Sequence, residues 1–383
     1  MPDTGRYLRL EKGSFWIHAR EAHSVSVTGT GVIDGQSPLF MSKENPEGFL
    51  SRPGCPRGFG FFGCRNIRIE GITIRNTPDW AIHPAGCEDV VIHGVTVRNH
   101  LKVPNCDGIN PDHCRNVRIS DCHIESGDDG ICIKTRSEWN RFGPCRNITI
   151  TNCTVISTSC GIKIGTETHQ DVSDVVVSNC IVYGSNRGLG IAHRDAGNVE
   201  NISFSNCIVK TRLFHPRWWG KAEPIYITAL PRDKEVRLGS LRNIYFDNIR
   251  CDAENGIYIQ GFDGCRPSNI RLSNVDLHVH KKSKWESGYY DPRPCLPEVM
   301  PYQATQSGKV TPWGSLVKRD IAGFYVEKAD EVRIVDARLR WGTSMPSCYR
   351  HGVETFDTRS FALERFTGNA AQPELDGVVE QSA

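Results

Sequence analysis

A short signature recurs along most of this 383-residue chain: Asn or Asp, then alternating apolar residues, then Asn or Gly. Its instances begin at Ser24 (SVSVTGTGVIDG), Asn66, Asp89, Asn116, Asn147, Asp174, Asn201, Asn243 and Asn269, with a late one at Glu331 (EVRIVDA). From Asn66 to Asn201 the successive steps are 23, 27, 31, 27 and 27 residues. Each run alternates over four to six residues, which is strand periodicity and too short for a helix. Strands recurring once per coil, with Asn and Gly at the corners, describe a solenoid in which each coil covers the apolar edge of the next. A leucine-rich repeat has a comparable period, but its Leu-x-x-Leu-x-Leu pattern is missing. A sandwich or barrel would not repeat a residue-specific signature. The expectation is an all-β chain, folded over residues 1–383 as one parallel β-helix domain.

Two stretches break the repeat. Residues 209–240 carry LFHPRWWGKAEPIYITALPRD, and residues 280–320 combine prolines, basic residues and aromatics without alternation. Solenoids place such insertions as loops on one face, often the binding face. Coils beyond about residue 321 are expected to be ragged. With 46 Lys plus Arg against 44 Asp plus Glu, there is no basic excess of the kind that marks a nucleic-acid binder. No apolar run approaches the roughly 20 residues that a bilayer requires, so no membrane partner is expected. The composition leaves the oligomeric state open.

Sixteen cysteines are present. Cys64, Cys87, Cys114 and Cys145 each precede a strand-like run (CRNIRI, CEDVVI, CRNVRI, CRNITI), and Cys122, Cys153, Cys180 and Cys207 recur in DCHI, NCTV, NCIV and NCIV. Metal sites and disulfides bring cysteines in pairs, whereas one cysteine per repeat describes stacked, buried thiols acting as small apolar side chains. Free thiols and the absence of a basic, apolar leader after Met1 favour the cytoplasm. A processed chain would be compatible with a secreted or periplasmic protein.

Writing the coils under one another produces a second column: Asp107-Gly108-Ile109, Asp129-Gly130-Ile131, Cys160-Gly161-Ile162, Leu189-Gly190-Ile191 and Asn255-Gly256-Ile257. Equivalent positions of a parallel solenoid lie about 4.8 Å apart. Asp107 and Asp129 are then near neighbours, with Asp128 beside them. Stacked acids repel, which raises the pKa of at least one and leaves a protonated acid beside ionised bases, as glycoside hydrolysis requires. A lone Asp at a turn merely caps amides, the reading adopted for Asp112, Asp121, Asp174 and Asp247. Clustered carboxylates also suit Ca²⁺, but no surrounding set of oxygen ligands is evident, and neither a metal nor a cofactor is expected.

The stretch NCDGINPDHCRNVRISDCHIESGDDGICIKT resembles the signature of glycoside hydrolase family 28, the polygalacturonases, and the likeness runs from about Ser24 to about Asn274. Asn105-Cys106-Asp107 stands for the family's Asn-Thr-Asp, and Gly127-Asp128-Asp129 keeps its Gly-Asp-Asp intact. The resemblance implies a single-stranded right-handed β-helix and an inverting hydrolase of pectic poly- or oligosaccharide. In it Asp128 protonates the leaving oxygen, Asp107 and Asp129 activate water, and Asn105 contacts substrate. Two motifs depart. The family's Gly-His-Gly is Ser159-Cys160-Gly161 here, and its Arg-Ile-Lys is Gly190-Ile191-Ala192, so a histidine and two cations are missing. Counting along the column sets Lys163 in the position of Ala192 one coil earlier. Lys163 and Arg194, helped by His193, are therefore expected to point outward with the acids and replace the anion clamp.

In the first insertion, Trp218 and Trp219 offer aromatic faces for sugar rings, with Lys221 and Glu223 as orienting groups. The leading expectation is cleavage of an α-linked, galacturonic acid-containing substrate. The altered motifs keep open rhamnogalacturonan or another exo-acting glycosidase activity. From different classes come a non-catalytic carbohydrate-binding β-helix and a polysaccharide lyase, against which the intact Gly-Asp-Asp argues.

Overall fold

The computed structural model describes residues 14–45, 48–51, 54–295 and 316–382. Parallel strands stack coil on coil into a right-handed β-helix. The longest ladder pairs Arg65–Glu70, Glu88–His93, Arg115–Ser120, Cys145–Thr151 and Val172–Ser178 in order, continuing through Val199–Thr211, Leu241–Ala253 and Ser268–Val279. Its register stacks Ile67, Val90, Val117, Ile148, Val175, Ile202, Ile244 and Ile270 in one inward row. All eight are buried, so burial of this row is what holds neighbouring coils together.

The Asn and Asp of the signature have a backbone reason. Asn66, Asp89, Asn116, Asn147, Asp174, Asn201, Asn243 and Asn269 all have positive φ, between 49° and 59°. That left-handed conformation is uncommon outside Gly, and Asn and Asp tolerate it best. Their amides then bond along the stack: Asn147 Nδ2 donates to Asn116 Oδ1 at 3.1 Å, and Asn243 Nδ2 to Asn201 Oδ1 at 3.0 Å. The cysteines are stacked as expected. No disulfide joins them among the described residues, thirteen of the sixteen are buried, and Cys87 and Cys114 direct their thiols at the Phe61 and Pro84 carbonyls of the preceding coil.

The insertions have more structure than their irregular sequence suggests. The stretch 209–240 contains Ile225–Ala229, a strand of the solenoid paired to Arg187–His193. Within 280–320, Tyr289–Tyr290 pairs antiparallel with Val317–Lys318, while residues 296–315 lie outside the described residues. The late coils are regular: Phe324–Glu327 aligns with Ile257–Gln260, and Val353–Phe356 with Phe324–Glu327. Repetition there survives in backbone register while the side-chain signature fades.

A second ladder carries the site. Strands Phe15–Arg20, Arg57–Phe62 and Ile82–Ala85 form a three-stranded sheet, and Ile131–Thr135 starts an eight-stranded one. Between them the coil of Asp107 makes isolated bridges, through Ile109 to Ile82 and Ile131 and through Asp112 to Ala85 and Lys134. Beyond, Ile162 faces Leu189, and Lys163 faces Gly190. This corrects the expected column by two residues. Its fourth rung is Arg187-Gly188-Leu189, and Ala192 lies opposite Gly165, not Lys163. A slip of two preserves the inward–outward alternation, so hydrophobic periodicity cannot detect it. The next rungs bring Glu223 and Asn255 into line with Arg187.

Candidate active site

Asp107, Asp128 and Asp129 line one cavity of about 260 Å³, together with Asn105, Lys134, Lys163, Glu167 and Arg187. Trp80 and Thr166 complete one wall, and Trp219, Arg232, Arg293 and Pro294 reach in from insertion loops. Asp129 is the most tightly held acid. One of its oxygens accepts from Ser159 Oγ at 2.9 Å and from the Cys160 amide at 3.3 Å, and the other meets Lys163 Nζ at 2.7 Å. Asp128 Oδ1 accepts the Asp129 amide at 2.9 Å, and Oδ2 accepts the Asn105 amide at 3.3 Å. Ser126 and Ser157 brace this turn, donating to the Asp129 and Asp128 carbonyls. Asp107 lies 3.8 Å from Lys134 Nζ, whose other partner is Glu167 at 3.3 Å.

This environment separates the acids by protonation. Burial, reinforced by the charge of Asp129, pushes Asp128 up to about 6. Burial and the neighbouring Asp128 charge drive Asp107 well above the carboxylate range. For Asp129 burial also opposes ionisation, but Lys163, Lys134 and the hydrogen bonds from Lys163 and Ser159 outweigh it and hold its carboxyl low. Two electrostatically coupled acids that gain protons readily thus sit beside one that stays ionised, the pattern that divides acid from base roles.

The cations of the cavity are all engaged. Lys163 pairs with Asp129, Lys134 with Asp107 and Glu167, Arg187 with Glu223, Arg232 with Asp195, and Arg293 with Asp291. Lys163 lies beside the acids, as the alternation implies. Arg194 does not. Its guanidinium is wholly buried and donates to the carbonyls of Pro292 and Pro294 and to Thr228 Oγ1, at 2.8–2.9 Å. The expected outward projection is overridden because the second insertion folds over it. His193 is likewise buried, between Thr168 and the Gly239 carbonyl, and burial lowers its pKa to about 4.

The two tryptophans divide. Trp219 lines the cavity, whereas Trp218 is buried in the loop. Lys221 and Glu223 are also enclosed. Glu223 grips Arg187 through both nitrogens of its fork, at 3.2 and 3.3 Å, so it acts through that arginine. Burial draws Lys221 down to about 8. Asp291 fastens the loops to each other, accepting from Gly220 N at 2.6 Å and from Arg293 at 2.7 Å.

Lys134, Glu167, Arg187 and Trp80 are cavity residues that the sequence reading misses. Lys134 was legible, since it follows Asp129 by five residues in ICIKT and alternation from Ile131 and Ile133 turns it outward. Arg187 needed the true register. Arg232 and Arg293 come from loops with no repeat to align.

A sequence model described as glycosyl hydrolases family 28 matches residues 6–292. A probable polygalacturonase of Vitis vinifera is 34% identical over 140 residues, covering 36% of this chain and 26% of that protein. A polygalacturonase of Juniperus ashei is 25% identical over 140 residues, covering 36% and 27%. These matches span about a quarter of the length of the curated relatives. Among solved structures, a hyperthermoactive exopolygalacturonase from Thermotoga maritima is similar with a TM-score of 0.50 at 26% identity, over 60% of this chain and 51% of that one. The family 28 exopolygalacturonase of Yersinia enterocolitica reaches a TM-score of 0.61 at 14% identity, over 91% and 60%, a likeness of fold.

Proposed function

Because the chain belongs to glycosyl hydrolases family 28, we propose that it hydrolyses an α-linked glycosidic bond in pectic poly- or oligosaccharide, with inversion at the anomeric carbon. The observation that carries this reading is the trio of acids in one cavity with divided protonation. Asp128, raised to about 6, is the group that protonates the leaving oxygen. Asp129, kept ionised by Lys163, accepts a proton from the attacking water. Asp107, which burial and the Asp128 charge keep protonated, is a second acceptor only once it has ionised. Trp219 supplies a face for a sugar ring.

Galacturonic acid-containing substrates are the default, and the names of the relatives support them. A second reading has its own support. Gly190 and Ala192 supply no cation, and the five basic residues of the cavity are already paired with protein carboxylates. A neutral sugar, as in rhamnogalacturonan, then fits the subsite beside Lys163. Exo action is supported by the loop residues Trp219, Arg293 and Pro294, which wall the cavity and are held by Asp291 and Arg194.

Incubation with oligogalacturonides, rhamnogalacturonan oligomers and polymeric pectin tests all three points, with product size and anomeric configuration read by NMR. Inverted products released one unit at a time from one substrate class are expected. Retention of configuration overturns the assignment of roles, a ladder of internal products overturns exo action, and unsaturated products identify a lyase. No turnover of any of these substrates, with sugar binding intact, identifies a non-catalytic binding protein.

A further inference from the structure

Away from the cavity, Asp252, His278 and His280 meet on the outer face of the solenoid. Asp252 stands directly opposite His278 in the ladder of Leu241–Ala253 and Ser268–Val279. His280, two residues on, projects to the same side as His278, and its amide extends the ladder by donating to the Ala253 carbonyl at 2.9 Å. One donor atom from each side chain lies within 4.8 Å of the others. His278 Nδ1 is 3.2 Å from Asp252 Oδ2, and His280 Nε2 is 2.5 Å from Asp252 Oδ1.

We propose that these three residues bind a divalent transition-metal ion, for which Zn²⁺ is the probe. Two imidazoles and a carboxylate make up a donor set suited to such ions. The backbone register already aligns the three donors. The carboxylate is 41% exposed and the His278 ring 31%, leaving an entry path, while His280 forms the floor at 9%. The buried Nδ1 of His280 has no hydrogen-bond partner among the described residues. The Nε2–H of His280 donates to the Asp252 carboxylate, so an ion binding at Nε2 displaces that bond and leaves the ring's proton on Nδ1. Lys210, opposite Asp252, and Lys282 add positive charge nearby, while Arg340, opposite His278, is drawn to Asp276 at 3.0 Å.

The place gives the ion a task. His280 opens the insertion whose Arg293 and Pro294 wall the cavity. Glu254 already fastens this root, accepting amides from Leu213, Lys282 and Ser283. A metal on Asp252 and His280 adds a second fastening.

The test is calorimetric titration of chelator-treated, reduced full-length protein with ZnCl₂, alongside thermal unfolding with and without the ion. Saturable binding of about one ion per chain and a raised melting temperature are expected. Both effects should weaken about tenfold or more in affinity in His278→Ala and Asp252→Asn. His278→Ala removes a surface ring, so it reports even if His280→Ala does not fold. Absence of saturable binding, or binding unchanged in both variants, overturns the proposal.

Discussion

Lys163 Nζ lies 2.7 Å from Asp129 Oδ2, with both side chains largely buried. An ammonium this close stabilises the ionised carboxylate, so its role is to set the charge of an acid before any role toward substrate. Lys163→Met should raise the pKa of Asp129 and move the acidic limb of the kcat profile to higher pH. The Michaelis constant should change little. A large rise in KM with an unmoved pH profile would restore the anion-clamp interpretation. Stability should fall by about 3–5 kcal/mol, less whatever protonation of Asp129 recovers.

Asp128 is predicted to govern the alkaline side. Its folded pKa, about 6, lies above the ordinary 3.8, and the acid role needs the protonated form. Turnover should therefore decline as pH rises through about 6. Asp128→Asn should lower kcat by about 10²–10⁴-fold while oligosaccharide affinity, measured by calorimetry, persists. A profile flat to pH 8 would count against this assignment.

Arg194 should behave as a structural residue. Its buried guanidinium donates to the carbonyls of Pro292 and Pro294, so Arg194→Ala removes the partner of both acceptors. A loss of about 3 kcal/mol or more in urea unfolding is expected. The kcat at saturating substrate should survive where the protein is folded.

The adjacent tryptophans should separate by readout. Trp219→Ala should raise KM by about two- to tenfold, the scale of a lost aromatic contact, with stability near the native value. Trp218→Ala should cost about 3–5 kcal/mol of stability, as emptying a buried aromatic site does. Identical effects of the two would contradict their different exposures.

The solenoid was legible because each coil must solve the same problem. Asn147 and Asn201 recur where the backbone turns left-handed, and Ile148 and Ile202 recur where the chain must cover its neighbour. The acids were legible for the same reason, since a motif on successive rungs is a stack in space. Arg187 was not. Two Gly-apolar pairs, Gly188-Leu189 and Gly190-Ile191, compete for one rung, and both satisfy the alternation.

Local sequence thus determines the coil: its corners, its inward rows and the stacking of Asp107 on Asp129, because these follow from a periodic backbone and the burial of apolar side chains. Contacts between coils distant in sequence decide what the acids become. Lys163 and Ser159 reach Asp129 from the next rung, and loops 71 to 104 residues away bring Asp291 to Gly220 and Arg187. Repeat spacing carries no information about where such loops land, since their placement follows from side-chain packing and charge pairing, which have no period.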